Sequence, residues 1–72
     1  MSDQPTVTDI RVFQAPWNKQ VTLQNVAYEG GMSLLRVRIK EGSRFTDLEL
    51  DPQTATDIAE AVSGWAAGQS EG

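Results

Sequence analysis

A chain of 72 residues with 39% apolar content can bury one small core and no more. It holds no cysteine and no histidine, which excludes a disulfide framework, thiolate metal sites, the commonest metal ligand and the commonest general base. The net charge of −4 argues against a dedicated nucleic-acid binder, whose affinity comes largely from phosphate neutralisation.

Residues 1–5 are small and polar and read as a loose N-terminal tail before a single domain over residues 6–67. The opening MSDQPTVTD lacks the basic region and apolar core of a secretory signal. No apolar run approaches the roughly eighteen residues of a membrane span. The expectation is a cytoplasmic protein with no membrane partner. From Thr6 to Ala15, the alternation of Ile10 and Val12 with Arg11 and Phe13 predicts a short first strand. Pro16 interrupts it, and Trp17-Asn18-Lys19 makes the connection. Gln20 to Tyr28 reads as a second strand. Its apolar phase changes between Leu23 and Val26, which predicts a bulge near Gln24-Asn25. Gly30-Gly31 then predicts a tight turn, with Val26 opposite Leu35 and Tyr28 opposite Ser33.

Leu34 to Lys40 is the clearest strand: Leu35, Val37 and Ile39 face one way, and Arg36, Arg38 and Lys40 the other. A four-residue turn over Glu41-Gly42-Ser43-Arg44 leads into Phe45 to Leu50. That loop pairs Ile39 with Thr46, Val37 with Leu48 and Leu35 with Leu50. It also sets Arg38 across from Asp47 and Arg36 across from Glu49, and opposite charges facing each other favour this register. Asp51 then caps a helix with Pro52 at its first position. Ala55, Ile58, Ala59, Val62, Trp65 and Ala66 recur at spacings of three and four and form one apolar stripe. Gly68 is expected to end the helix, leaving residues 68–72 as a C-terminal tail. The fold class is α+β: a four-stranded antiparallel meander followed by one amphipathic helix on one sheet face, that of Val37, Ile39, Leu48 and Leu50.

Three groups of residues could carry chemistry. Asp47, Glu49 and Asp51 alternate along a strand, and collinear carboxylates do not surround a cation without other segments; no metal site is assigned. The serines have no histidine to activate them, and no phosphate-cradling glycine motif occurs. No catalytic residue and no cofactor is therefore assigned, and the chain is not expected to be an enzyme. The third group is basic. From Arg36 to Arg44 the chain carries four bases and one acid, whereas Phe45 to Gly72 carry six acids and no base. Arg36, Arg38, Lys40 and Arg44 beside Phe45 resemble a sheet face that stacks bases and grips phosphates. The plainer interpretation pairs Arg36 and Arg38 with Glu49 and Asp47. Trp65, on the stripe, is expected in the core. Trp17 is expected either to cap the core or to make an exposed contact. Phe13, Leu34 and Phe45 are expected on the face away from the helix, as a protein-binding or dimerising surface.

The stretch GGMSLLRVRIKEGSRFTDLELDPQTA resembles short bacterial proteins of an uncharacterised family, a likeness running from Gln20 to Trp65 that implies no activity. More distantly, four strands and a helix with a basic stripe and the LELDPQTATDIAEAV junction are similar to the PC4-like transcriptional coactivator domain. That resemblance implies dimerisation and single-stranded DNA held by the sheet; the acidic balance and scarce aromatics depart from it. The functional expectation is a non-catalytic interaction module, self-associating as a homo-oligomer and binding a protein partner through its sheet face or edge. A single-stranded nucleic-acid binder is the alternative. The candidate surface comprises Phe13, Trp17, Leu34, Arg36, Arg38, Lys40, Arg44 and Phe45.

Overall fold

A computed structural model describes residues 4–69; the first three and last three residues, including most of both expected tails, lie outside them. Four strands, β1 (Thr6–Ala15), β2 (Lys19–Ala27), β3 (Ser33–Glu41) and β4 (Arg44–Leu50), form one antiparallel sheet in the order β1-β2-β3-β4, and helix α1 (Pro52–Gln69) follows. The expected meander and terminal helix are thus present. With ten residues, however, β1 is a full-length edge strand, not a short one. The helix runs through Gly68 to Gln69. Its alanines are strong helix formers and carry the last turn past Gly68.

The β3–β4 register is as the charges dictated: Leu35↔Leu50, Arg36↔Glu49, Val37↔Leu48, Arg38↔Asp47 and Ile39↔Thr46. Pairing continues to Glu41↔Arg44, so the turn itself is only Gly42-Ser43, with Gly42 at φ 60°. The β2–β3 register differs from expectation by one residue. Tyr28 N–H donates to the Met32 carbonyl at 2.7 Å, leaving Glu29-Gly30-Gly31 as a three-residue loop, and Val26 pairs with Leu34, not Leu35. A one-residue shift moves a side chain to the opposite face, so Val26 stands on the side of Arg36 and Arg38.

β2 pairs with β3 without interruption, so no bulge occurs at Gln24-Asn25. The irregularity lies in β1, between Asp9 and Arg11, opposite Gln24 and Leu23. Leu23 and Val26 therefore serve opposite faces of a regular strand, which is why the apolar phase changes there.

Only Val26 and Leu50 are buried apolar side chains among the described residues. The chain is correspondingly open. The radius of gyration is 14.6 Å, against roughly 11 Å for a compact chain of this length. The accessible surface is 5744 Å² for 7.9 kDa, against about 4,400 Å² for a compact monomer.

The helix accounts for much of this openness. It packs on β3 and β4 at its start, where Ala55 is half-buried; every other described helix residue is exposed. Ile58, Val62 and Trp65 are 42%, 58% and 68% exposed. Trp65, expected in the core, lies outside it.

Candidate functional site

Directly opposed residues of antiparallel strands project to the same side, and the three registers divide the side chains into two surfaces. One carries Val21, Leu23, Leu35, Val37, Ile39, Leu48 and Leu50, with Phe13 beside Val21. The other carries Gln20, Thr22, Gln24, Arg36, Arg38, Lys40, Phe45, Asp47 and Glu49.

The charged face is internally paired. Arg36 donates through Nε and Nη2 to Glu49 Oε2, at 3.2 and 2.8 Å. Arg38 donates through Nε to Asp47 Oδ1 at 2.9 Å and through Nη2 to Oδ2 at 3.2 Å, a two-pronged fit of guanidinium to carboxylate. The Tyr28 hydroxyl donates to Glu49 Oε1 at 2.9 Å; with β3 lying between β2 and β4, the ring must cross β3 to reach it. Val26, on this face and fully buried, marks a small apolar patch at the Tyr28 end. The bond from Arg38 holds the Asp47 carboxyl below its ordinary range, and the bonds from Arg36 and Tyr28 do the same for Glu49. Conversely, donation to Glu49 holds the Tyr28 hydroxyl above its ordinary value. Phe45, exposed at the rim, has the Arg38 guanidinium 5.0 Å and the Lys40 ammonium 5.9 Å from its ring centre. Asp51 is engaged elsewhere: its Oδ1 accepts from the Thr54 N–H at 3.2 Å as the helix cap, and the Thr54 side chain first, with that N–H, holds its carboxyl below the ordinary value.

On the aliphatic face Val21, Leu23, Leu35, Val37 and Ile39 are half-buried. Leu50 is buried near the helix start, but two residues earlier on the same face Leu48 is 53% exposed, and Phe13 is 39% exposed. Cations and charged pairs sit at its margin: Arg11 lies 5.0 Å from the Phe13 ring centre, and Lys19 and Glu41 form an ion pair at 3.0 Å.

The candidate residues therefore fall into three places. Leu34, Arg36, Arg38, Lys40 and Phe45 share the charged face, as expected. Phe13 does not: its pairing with Val21, itself opposite Ile39, puts it on the aliphatic face. Its neighbour Arg11 had suggested an exposed strand, but Arg11 shares that face by pairing with Leu23. Arg44, paired with Glu41, also leaves the charged face. Trp17 belongs to neither. It stands 87% exposed at the β1–β2 turn, with Trp17 and Asn18 both left-handed at φ 61° and 58°. Such backbone suits asparagine and strains tryptophan. The residues missed as a surface are Val21, Leu23, Val37, Ile39 and Leu48, together with the helix stripe. Their apolar periodicity identifies a face meant to be covered, but not by what.

Among the described residues no helix is long and apolar enough to cross a membrane. Residues 4–68 match the model of a family described as "Family of unknown function (DUF6967)". No curated protein and no solved structure matches the chain, and the PC4-like similarity gains no support from them.

Proposed function

The chain belongs to this family of unknown function, and we propose that it is a small non-catalytic interaction module that works as a self-associated unit through the aliphatic face of its sheet. The observation that carries this is the incompletely covered aliphatic surface, on which Leu48 and Phe13 remain exposed while Ile58, Val62 and Trp65 of the helix stripe are exposed too. Contiguous apolar surfaces of this kind mark protein contacts. The reading is tested by mass in solution, measured by light scattering or native mass spectrometry across a concentration series. A multiple of the 7.9 kDa chain mass is expected. A monomer at every concentration refutes it. Once assembled, the module presents the charged face and the Trp17 turn outward as the surfaces for a further protein partner.

A second reading, a single-stranded nucleic-acid binder, is favoured by the exposed Phe45 ring between the Arg38 and Lys40 cations. It ranks lower because Arg36 and Arg38 are already paired with Glu49 and Asp47, and the carboxylates would repel phosphate. A labelled oligonucleotide bound at low salt, with affinity falling steeply as salt rises, would establish it. Absence of binding at low salt removes it.

A further inference from the structure

Resting on the self-association reading, we infer that two copies exchange helices, each α1 lying with its apolar stripe across the aliphatic sheet face of the partner. The junction between β4 and α1 favours the exchange. The strand ends at Leu50 and the helix begins at Pro52, so Asp51 alone connects them. A residue before proline is held to extended backbone, and Asp51 is fixed further as the cap: its Oδ1 accepts from Thr54 N–H at 3.2 Å and its carbonyl from Ala55 N–H at 2.9 Å. Connections that reverse a chain onto its own sheet commonly take about 2–6 residues. A single, doubly constrained residue is shorter than that range: the helix meets β3 and β4 at its start, while Ile58, Val62 and Trp65 stay exposed.

The helix stripe and the aliphatic face match each other in length. The helix has 18 residues, about 27 Å at 1.5 Å per residue. The central strands β2 and β3 have nine residues each, about 30 Å. A helix laid along the sheet covers Val37, Ile39 and Leu48 from end to end. The arrangement is reciprocal, as a two-fold axis requires, and therefore closed. Its size is right as well. The chain exposes 5744 Å², about 1,300 Å² more than a compact monomer of its mass. Covering that excess on both copies would bury at most about 2,600 Å², since the Trp17 turn and the charged face stay outside it; the ceiling lies within the range of obligate homodimers.

Because the chain has no cysteine, introduced thiols report contacts without background. Val37→Cys chains and Val62→Cys chains of distinguishable mass are unfolded, mixed, refolded together and treated with a short bismaleimide; Ile39→Cys replaces Val37→Cys should the latter not fold. Covalent hetero-dimers joining sheet thiol to helix thiol are expected. Cross-linking of Val37→Cys only to itself, with the dimer mass retained, overturns the exchange in favour of sheets stacked face to face and leaves self-association standing. An internal cross-link within single V37C/V62C chains overturns it in favour of a helix closed on its own sheet. A second measurement inserts six glycine and serine residues between Leu50 and Asp51. The expected product is a closed monomer; an unchanged dimer mass overturns the role given to the junction. A wild-type chain that is monomeric throughout instead removes the self-association reading itself.

Discussion

Replacing Leu48 by alanine should weaken association while leaving the isolated fold nearly untouched. Leu48 lies on the aliphatic face opposite Val37 and is 53% exposed in the single chain. Complete burial of a leucine side chain stabilises by about 1.5–3 kcal/mol, so about 1 kcal/mol remains to be gained when a second copy covers it. Two-fold symmetry counts the residue twice, giving about 2 kcal/mol for the dimer, or about 30-fold in dissociation constant. The assay is sedimentation equilibrium of wild type and L48A over a dilution series, with far-ultraviolet circular dichroism confirming an unchanged strand and helix content. A dissociation constant within threefold of wild type would refute the claim that this face is the interface.

Val26→Ala offers the contrast. Val26 is fully exposed to no solvent, so removing its two methyl groups should cost about 1.5–3 kcal/mol of folding stability, read as a lower denaturant midpoint with unchanged slope; a loss under 0.5 kcal/mol would show the site collapses freely. Trp17→Gly should change folding stability by no more than about 1 kcal/mol in either direction, because relief of left-handed strain at φ 61° offsets the added freedom of glycine. A drop of several kcal/mol in thermal or urea unfolding would mean that Trp17 is packed. The pH dependence follows from Asp47, Glu49 and Asp51, whose carboxyls are held below their ordinary values of 3.8, 4.5 and 3.8. A depressed folded-state pKa stabilises above the ordinary value and is lost as pH falls through the depressed one. Stability should therefore be level from about pH 5 to 8 and decline below about pH 4.5. Arg38→Met should shrink that acid decline, and an identical acid limb in the variant would exclude the Arg38–Asp47 contact as a contributor.

The parts of the fold that could be read from the residues are those where charge and aliphatic periodicity agree. Arg36 and Arg38 opposite Glu49 and Asp47 leave one favourable register for β3 and β4, and that is the register formed. Between β2 and β3 the opposed charges are a single pair, Lys19 and Glu41, at the end far from the connecting turn. The expected register rested on loop length, and counting Glu29 into the turn shifts Val26 to the charged face. Phe13 failed for a related reason. Its face depends on where β1 is anchored across the Pro16-Trp17-Asn18 turn, and Arg11 beside it imitates an outward strand although it packs against the Phe13 ring. The helix was legible in position, cap and stripe. It packs on the sheet as expected, at its start; that the rest of the stripe stays exposed was not legible, because periodicity reports that Ile58, Val62 and Trp65 need cover without saying what supplies it.

The irregular step at Ile10 has a consequence for how far such a molecule can grow. β1 is an outer strand of ten residues, long enough to recruit a neighbour's backbone amides and propagate into a fibre. The extra residue kinks it midway, so an incoming fifth strand would lose alignment after four or five residues on either side. At the opposite border, β4 has only seven residues and alternates acids with its apolar side chains, which discourages lateral recruitment there as well. With both borders blunted, the proposed self-association would use the broad side of the sheet, where it would terminate at a definite number of subunits.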